Sequence, residues 1–336
     1  MRLPFTYPPF ALIALSPLAW LNFIWTQSAL WALSVSLTAG ALLLALRTAG
    51  VRLTTRTCYA ALGSVCASVL VLEPVRSDMD YGQIELILMA LTVIDFLAAP
   101  RKVRGALIGI VASVKLTPLI FILAFIAVRD FKSGARSLAT FAACTALSWG
   151  FFPSASRKFW LSDVRQPGRT GNPIYAGNQC WYAVITRLTF LGGARELAWI
   201  VVSLGTLGIG IFVAWRCGRD NRPVPALVAT ALTGLLISPI SWSHHWVWVI
   251  FIPLAAWGQE GTRGKGLLEA CLAGIIALTI LSPYWLLQGS GAGEILQALL
   301  PLWTGGVLVV WAAVEWRGMR AGAAVAQGDA LAEFAT

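Results

Sequence analysis

The chain has 336 residues, of which 58% are hydrophobic and 12% charged, with 16 tryptophans and a mean hydropathy of +0.74. One soluble core cannot bury that much apolar surface, so the composition excludes a soluble protein and predicts an all-α polytopic membrane protein. The net charge of +10 does not indicate nucleic acid, because the Lys and Arg residues stand in short loops between apolar runs.

The first 27 residues predict an interfacial element at the outer face, not a complete span. A short apolar run follows the YPPF motif at residues 7–10 and is interrupted at Pro17, so it is too short to cross a bilayer. The segment has no basic n-region and no cleavage site, which excludes a signal peptide. Counting back from the first basic loop places this end outside, and we therefore expect a span and a loop upstream of Met1.

Nine apolar segments between residues 28 and 316 are near the length that a helix needs to cross a bilayer. They lie at 28–46, 57–72, 82–99, 137–152, 194–216, 224–240, 245–258, 266–283 and 295–316. We therefore predict a transmembrane domain over residues 28–316 with about nine full spans.

The loops between these segments alternate in charge. Basic residues indicate the cytoplasmic face, and they are Arg47, Arg52, Arg56, Arg101, Lys102, Arg104, Arg129, Lys132, Arg136, Arg216, Arg219, Arg222, Arg263, Lys265, Arg317 and Arg320. The remaining loops, 73–81, 153–193, 238–245 and 284–294, then face outward. The sequence thus predicts a multi-pass membrane protein with these loops on the outer side. Residues 317–336 show no packing pattern and are expected to form a flexible cytoplasmic tail.

Residues 105–128 are apolar and flanked by basic clusters on both sides, so the chain must enter the membrane and return. The break at Lys115-Leu116-Thr117-Pro118 leaves about 11 residues in each arm, roughly 17 Å of helix, which is too short to span. We predict a short broken helix pair whose apex carries Lys115 inside the membrane. The alternative is one ordinary crossing in which the Lys115 side chain extends to the interface.

The sequence contains only two histidines, His244 and His245, side by side at a break between two apolar segments. Titratable groups are costly at such a position in a membrane protein, so this break is a candidate site. No metal is expected, because two adjacent imidazoles lack an obvious third and fourth ligand. The alternative is that both histidines belong to an aromatic belt with Trp242, Trp246 and Trp248.

Several motifs together resemble glycosyltransferase family 87 over about residues 3–316. They are Tyr7-Pro8-Pro9-Phe10, the stretch from Glu73 to Ile84, Lys115-Leu116-Thr117-Pro118, Gly177-Asn178-Gln179 and Ser238-Pro239-Ile240-Ser241-Trp242-Ser243-His244-His245. The last motif is the most specific. The resemblance implies a GT-C-type transmembrane helical bundle that transfers a sugar from a polyprenyl phosphate, as in actinobacterial α-1,2-mannosyltransferases.

The implied enzyme is a hexosyltransferase that moves mannose from polyprenyl-phosphomannose to a lipid-linked glycan of the phosphatidylinositol mannoside or lipomannan type. The linkage is α-1,2, and no cofactor is implied. The resemblance also implies that the family's catalytic Asp belongs to a first outer loop that this sequence lacks. The chain is therefore expected to be truncated, a state in which it could bind donor and remain inert, and Asp78 and Asp80 are weak substitutes for the base. The resemblance further implies a plasma-membrane enzyme whose active site faces outside. Glu85 is a further departure, since the family usually has Asn there.

Transfer from a polyprenyl-phosphate sugar needs a base for the acceptor hydroxyl and cationic or hydrogen-bonding groups for the departing phosphate. For the donor phosphate we predict His245, His244, Lys115, Arg76 and Arg187. Sugar CH faces pack on aromatic rings, and sugar hydroxyls bond to planar polar groups. For the acceptor or sugar we predict Asn178, Gln179, Trp181, Gln83 and Tyr7.

Two other functions stay open on the residues alone. The first is arabinofuranosyl transfer from decaprenyl-phosphoarabinose, since similar proteins use that sugar. The second is a transporter or lipid-handling protein without chemistry, because transporters also use discontinuous helices. The lack of an internal repeat and the clustering of polar residues on one side favour the enzyme. The expected partners are a polyprenyl-phosphate donor, a lipid-linked acceptor and the membrane.

Overall fold

The computed structural model of the protein describes residues 5–257, 264–286 and 291–333. Over these residues the chain is helical, and its β-type contact is an isolated antiparallel bridge between Asn178 and Trp242. The α-helices are α1 (Phe10–Leu15), α2 (Phe23–Thr48), α3 (Thr55–Val71), α4 (Glu73–Asp80), α5 (Glu85–Ala98), α6 (Ala106–Val114), α7 (Phe121–Ala127), α8 (Phe131–Phe151), α9 (Pro153–Leu161), α10 (Trp181–Arg187), α11 (Arg195–Arg219), α12 (Pro223–Ile237), α13 (Ile252–Trp257), α14 (Lys265–Leu281) and α15 (Gly291–Glu333).

Within the described ranges, four helices are long and apolar enough to cross a membrane: Phe23–Thr48, Gly192–Arg219, Lys265–Trp285 and Gly293–Ala321. The number rises to five if α3 and α4, which are bent by 84° relative to each other, count as one broken span. An all-α multi-pass membrane protein is therefore confirmed. The prediction of about nine full spans is not supported.

The excess of predicted spans has a physical reason, since several apolar segments are surrounded by protein instead of lipid. Helices α5 and α12 have 14 and 15 residues. Each is about 21–23 Å long, which is shorter than the roughly 30 Å hydrocarbon core. Twelve of the 15 residues of α12 are buried, as expected for a helix that is hydrophobic all round. Segment 245–258, as far as it is described, forms the 3-10 helix Ser243–Phe251 and the six-residue α13.

Other segments also differ from their predicted bounds. A 3-10 helix, Ser16–Trp20, follows α1, and α2 then begins at Phe23 instead of residue 28. Residues 137–151 of the predicted span at 137–152 lie in α8, whose first six residues include Lys132 and Arg136. The predicted tail at 317–336 continues α15 as far as Glu333, and residues 334–336 lie outside the described part.

The predicted broken helix pair is present. Helix α6 ends at Val114, Lys115 has extended backbone, and the 3-10 helix Thr117–Ile120 leads into α7. The two outer ends of the pair come together, because Arg104 Nη1 lies 3.9 Å from Asp130 Oδ2. The two arms therefore form a hairpin with Lys115 at its apex.

Close backbone packing holds this hairpin against α8. Gly105 has φ +93°, and a Cβ at this position would collide with the carbonyl oxygen of Ser133. The Asp95 carboxylate of α5 accepts from the backbone N–H groups of Gly105 and Ile108, both at 2.8 Å. It thereby satisfies unpaired donors at the start of α6 and fixes the hairpin to α5.

Candidate active site

Three charged or titratable side chains meet at the hairpin apex. Glu85 is the first residue of α5, Lys115 stands at the helix break, and His245 lies in the 3-10 helix Ser243–Phe251. The Lys115 ammonium pairs with Glu85 Oε1, and its Nζ lies 3.2 Å from His245 Nε2. His245 Nε2 lies 3.4 Å from Glu85 Oε1. Three elements distant in sequence therefore build one compact group, called the apex cluster below.

The apex cluster is largely shielded from solvent. The side chains of Glu85 and Lys115 are 8% and 15% exposed, and that of His245 is 7% exposed. Charges at such depth need partners, and the Glu85 carboxylate neutralises the Lys115 ammonium. The cluster is thus close to neutral before any ligand binds.

One hydrogen-bond donor of the cluster is left over. An ammonium can only donate, so His245 Nε2 accepts from Lys115 and the imidazole proton resides on Nδ1. His245 Nδ1 has no hydrogen-bond partner among the described residues, although it is buried. An unpaired buried donor costs about 1–3 kcal/mol, so it favours a ligand that supplies an acceptor oxygen.

Further predicted residues surround the cluster. The Tyr7 hydroxyl donates to Gln83 Oε1 at 2.9 Å, and Lys115 Nζ lies 5.3 Å from the centre of the Tyr7 ring. The ring centres of His244 and His245 are 4.7 Å apart at 83°, so the two imidazoles point in different directions. The Tyr81 ring packs edge-on to His244 at 6.3 Å.

The two acids predicted as substitute bases differ in their surroundings. Asp78 is buried and accepts from the backbone N–H groups of Glu85 at 3.0 Å and Leu86 at 3.4 Å. Its two oxygens therefore cap the start of α5. Asp80 is exposed and makes no hydrogen bond or ion pair with another described residue. Arg76, on the same helix, is also exposed.

Glu85, His244 and His245 offer one ligand atom each, and these atoms lie within 4.8 Å of one another. The structure therefore supplies the third donor that the sequence argument lacked. The Lys115 ammonium already contacts two of these three residues. A divalent cation would have to displace a bound positive charge, so the donor set does not fit a metal while Lys115 is in place.

Glu73 has a central role that the sequence did not indicate. Its buried carboxylate accepts four hydrogen bonds, from Ser77 Oγ (2.6 Å), Ser243 Oγ (2.9 Å), the Tyr284 hydroxyl (2.6 Å) and Trp285 Nε1 (3.1 Å). Ser243 stands two residues before His245. Glu73 thus ties α4 to the 3-10 helix that presents the histidine.

The predicted outer-loop residues form a separate network. Asn178 Oδ1 accepts from the backbone of Ser241 at 2.8 Å, and its Nδ2 donates to Pro173 and Pro239 carbonyls. Gln179 Nε2 donates to the carbonyls of Ala176 and Gln297. Trp181 is buried and donates to Thr206 Oγ1 at 2.9 Å. These contacts connect the loop to residue 241, four positions before His245.

Two titratable groups of this network have shifted pKa values. Burial raises the pKa of Cys180 to about 11, so its thiol stays protonated and donates to Asn178 Oδ1. Burial lowers the pKa of Arg187 to about 10, so it stays charged at neutral pH. Its guanidinium donates to the carbonyls of Tyr175 (2.7 Å), Asn178 (3.1 Å) and Ile174 (3.2 Å).

We expect Arg187→Met to loosen this loop, because four backbone carbonyls, that of Gln297 at 3.4 Å included, lose a charged donor. The measurement is the rate of chymotrypsin cleavage after Tyr175, which should rise several-fold. Arg165→Met, at an exposed arginine of the same loop, is the matched control and should leave the rate unchanged. Unchanged cleavage together with a loss of donor affinity would instead favour the predicted phosphate contact.

The fold and the apex cluster first define a class: a multi-pass helical membrane protein with a buried, charge-paired polar site at a helix break. Comparison with known proteins then identifies the family. The family model of Glycosyltransferase family 87 matches residues 5–239. The chain belongs to this family.

Curated relatives agree with this assignment. The chain is 33% identical over 334 residues to a polyprenol-phosphate-mannose-dependent alpha-(1-2)-phosphatidylinositol mannoside mannosyltransferase of Mycolicibacterium smegmatis, covering 93% of this chain and 74% of the relative. A Mycobacterium tuberculosis protein of the same name is 32% identical, with 83% and 68% covered. A phosphatidylinositol pentamannoside mannosyltransferase of M. smegmatis is 33% identical, with 85% and 68% covered. No solved structure matches the chain.

Proposed function

We propose that this protein transfers mannose from polyprenyl-phosphomannose to a lipid-linked glycan of the phosphatidylinositol mannoside type, in α-1,2 linkage. The reaction takes place at the outer face of the plasma membrane. Family membership and the names of the relatives support the activity and the donor. The observation that carries the site is the buried pair of Lys115 and His245, with one ring N–H unpaired among the described residues.

The donor phosphate binds at the apex cluster. Lys115 supplies the positive charge, and the Nδ1–H of His245 supplies a hydrogen bond to a phosphate oxygen. Glu85 holds the ammonium in the absence of substrate and gives it up to the phosphate. The transferred sugar lies beside Gln83 and Tyr7, which are hydrogen-bonded to each other next to Lys115.

The bond changes follow from the substrate chemistry. The acceptor hydroxyl oxygen bonds to the sugar C1 while the bond between C1 and the phosphate oxygen breaks, and the electron pair leaves with the phosphate. A base takes the hydroxyl proton. Of the two predicted substitutes, Asp80 has an uncommitted carboxylate among the described contacts, whereas Asp78 caps α5.

The proposal is tested with the purified chain in lipid nanodiscs, supplied with radiolabelled polyprenyl-phosphomannose and a phosphatidylinositol mannoside. We expect saturable donor binding and a labelled glycolipid that an α-1,2-mannosidase degrades. Donor binding is measured separately, so a chain that binds without turnover is recognised. A product made only from decaprenyl-phosphoarabinose would identify an arabinofuranosyltransferase. Solute flux without donor binding would identify a transporter.

A further inference from the structure

A cavity lies between α2 and the chain segment from Met79 to Gln83, just before Glu85 of the apex cluster. Its volume is about 270 Å³, and it is lined by α2 on one side and by the turn that follows α4 on the other. Trp31 of α2 donates from Nε1 to the carbonyl of Met79 at 3.1 Å and so fixes the distance between helix and turn. Gly82 at the turn has φ +59°, which a residue without a side chain adopts at little cost. The cavity is therefore bounded by a defined part of the fold.

The lining combines rings with polar groups. Phe23, Trp31 and Tyr81 contribute aromatic surface, and their exposed fractions are 78%, 42% and 66%. Gln27 and Asp80 line the same space and make no hydrogen bond to other described residues. A prenyl or acyl chain cannot form hydrogen bonds with the Gln27 amide or the Asp80 carboxylate. A hexose can contact both kinds of lining group, because its CH face packs on aromatic rings and its hydroxyls form hydrogen bonds with planar polar groups.

The cavity shares a wall with the donor site. Gln83 lines it and accepts from Tyr7, whose ring lies beside Lys115. Tyr81 lines it as well and contacts the His244 ring. A sugar in this cavity would therefore neighbour the groups assigned to the donor phosphate.

We propose that this cavity binds the terminal hexose of the acceptor glycan, with Gln27 and Asp80 bonded to its hydroxyls and Trp31 and Tyr81 against its CH faces. The inference rests on the proposed function, since it names where that function holds its acceptor. Gln27 and Trp31 both belong to α2, whereas the sequence analysis placed Gln27 in the interfacial element at 1–27 and Trp31 in a membrane span.

The test measures binding of methyl α-mannopyranoside to the detergent-solubilised full chain by saturation-transfer NMR. We expect Gln27→Ala and Asp80→Ala each to weaken binding about tenfold, because each removes hydrogen bonds to the sugar. Gln166→Ala, at an exposed glutamine outside the cavity, is the matched control and should leave binding unchanged.

Donor binding is measured on the same variants, and its retention also shows that they are folded. Full mannoside binding by the Gln27→Ala/Asp80→Ala double variant would overturn the inference. Donor binding without mannoside binding by the unmodified chain would overturn it too, while leaving the donor half of the proposed function intact. If the unmodified chain binds neither the donor nor the mannoside, the proposed function itself is overturned.

Discussion

Lys115→Met lowers the affinity for a polyprenyl phosphate by about 10- to 100-fold, because a buried ammonium bonded to a phosphate contributes about 1.5–3 kcal/mol. Glu85→Gln acts in the opposite direction and raises the affinity by about tenfold, because Lys115 no longer has a competing carboxylate. The measurement is equilibrium binding of labelled polyprenyl-phosphomannose to the protein in nanodiscs. Opposite signs at two residues in direct contact are a result that general damage to the fold does not produce.

The protein contains a matched control for this pair. Lys265 and Glu269 form an ion pair of 3.6 Å on α14, away from the apex cluster. Lys265→Met and Glu269→Gln should both leave the donor affinity unchanged. Weaker binding by Glu85→Gln, of the same size as that of Lys115→Met, would contradict the assignment of Lys115 to the phosphate.

Thermal stability provides a second test of whether the donor phosphate replaces Glu85 as the partner of Lys115. Glu85→Gln leaves a buried ammonium without its counter-ion, so the melting temperature of the ligand-free protein should fall. Addition of a polyprenyl phosphate should recover most of this loss, because the phosphate replaces the carboxylate. The predicted recovery distinguishes a ligand site from a merely structural ion pair.

The broken helix pair could be predicted because its signals are local. Basic residues flank both ends, and each arm is too short to span, so chain length and charge suffice. The same rules predicted too many spans, since α5 and α12 are as apolar as lipid-facing helices. Hydropathy does not distinguish a helix enclosed by protein from one enclosed by lipid.

The composition of the apex cluster could be predicted only in part. Lys115 and His245 each stand at a visible break in an apolar segment, whereas Glu85 opens a helix and was noted only as a departure from the family. Its proximity to His245 depends on contacts across 160 positions of the chain, for which no local pattern exists. Glu73 was missed for the same reason, because three of its four partners lie 170 to 212 residues away.

Glu73→Ala should lower the free energy of unfolding by at least about 3 kcal/mol, because it leaves several buried donors without an acceptor. Tyr284→Phe removes one of these hydrogen bonds and should cost about 1 kcal/mol. Glu196→Ala, at an exposed acid in the first turn of α11, is the matched control and should cost almost nothing. Unfolding is followed by denaturant titration in detergent micelles.

The effect of Glu73 should extend to the site, because the carboxylate holds Ser243 and thereby the 3-10 helix that carries His245. Ser243→Ala removes this single contact while Ser77, Tyr284 and Trp285 remain bound to Glu73. We expect it to lower donor affinity several-fold with a loss of stability of only about 1 kcal/mol. Unchanged donor affinity in Ser243→Ala would show that Glu73 stabilises the fold without positioning His245.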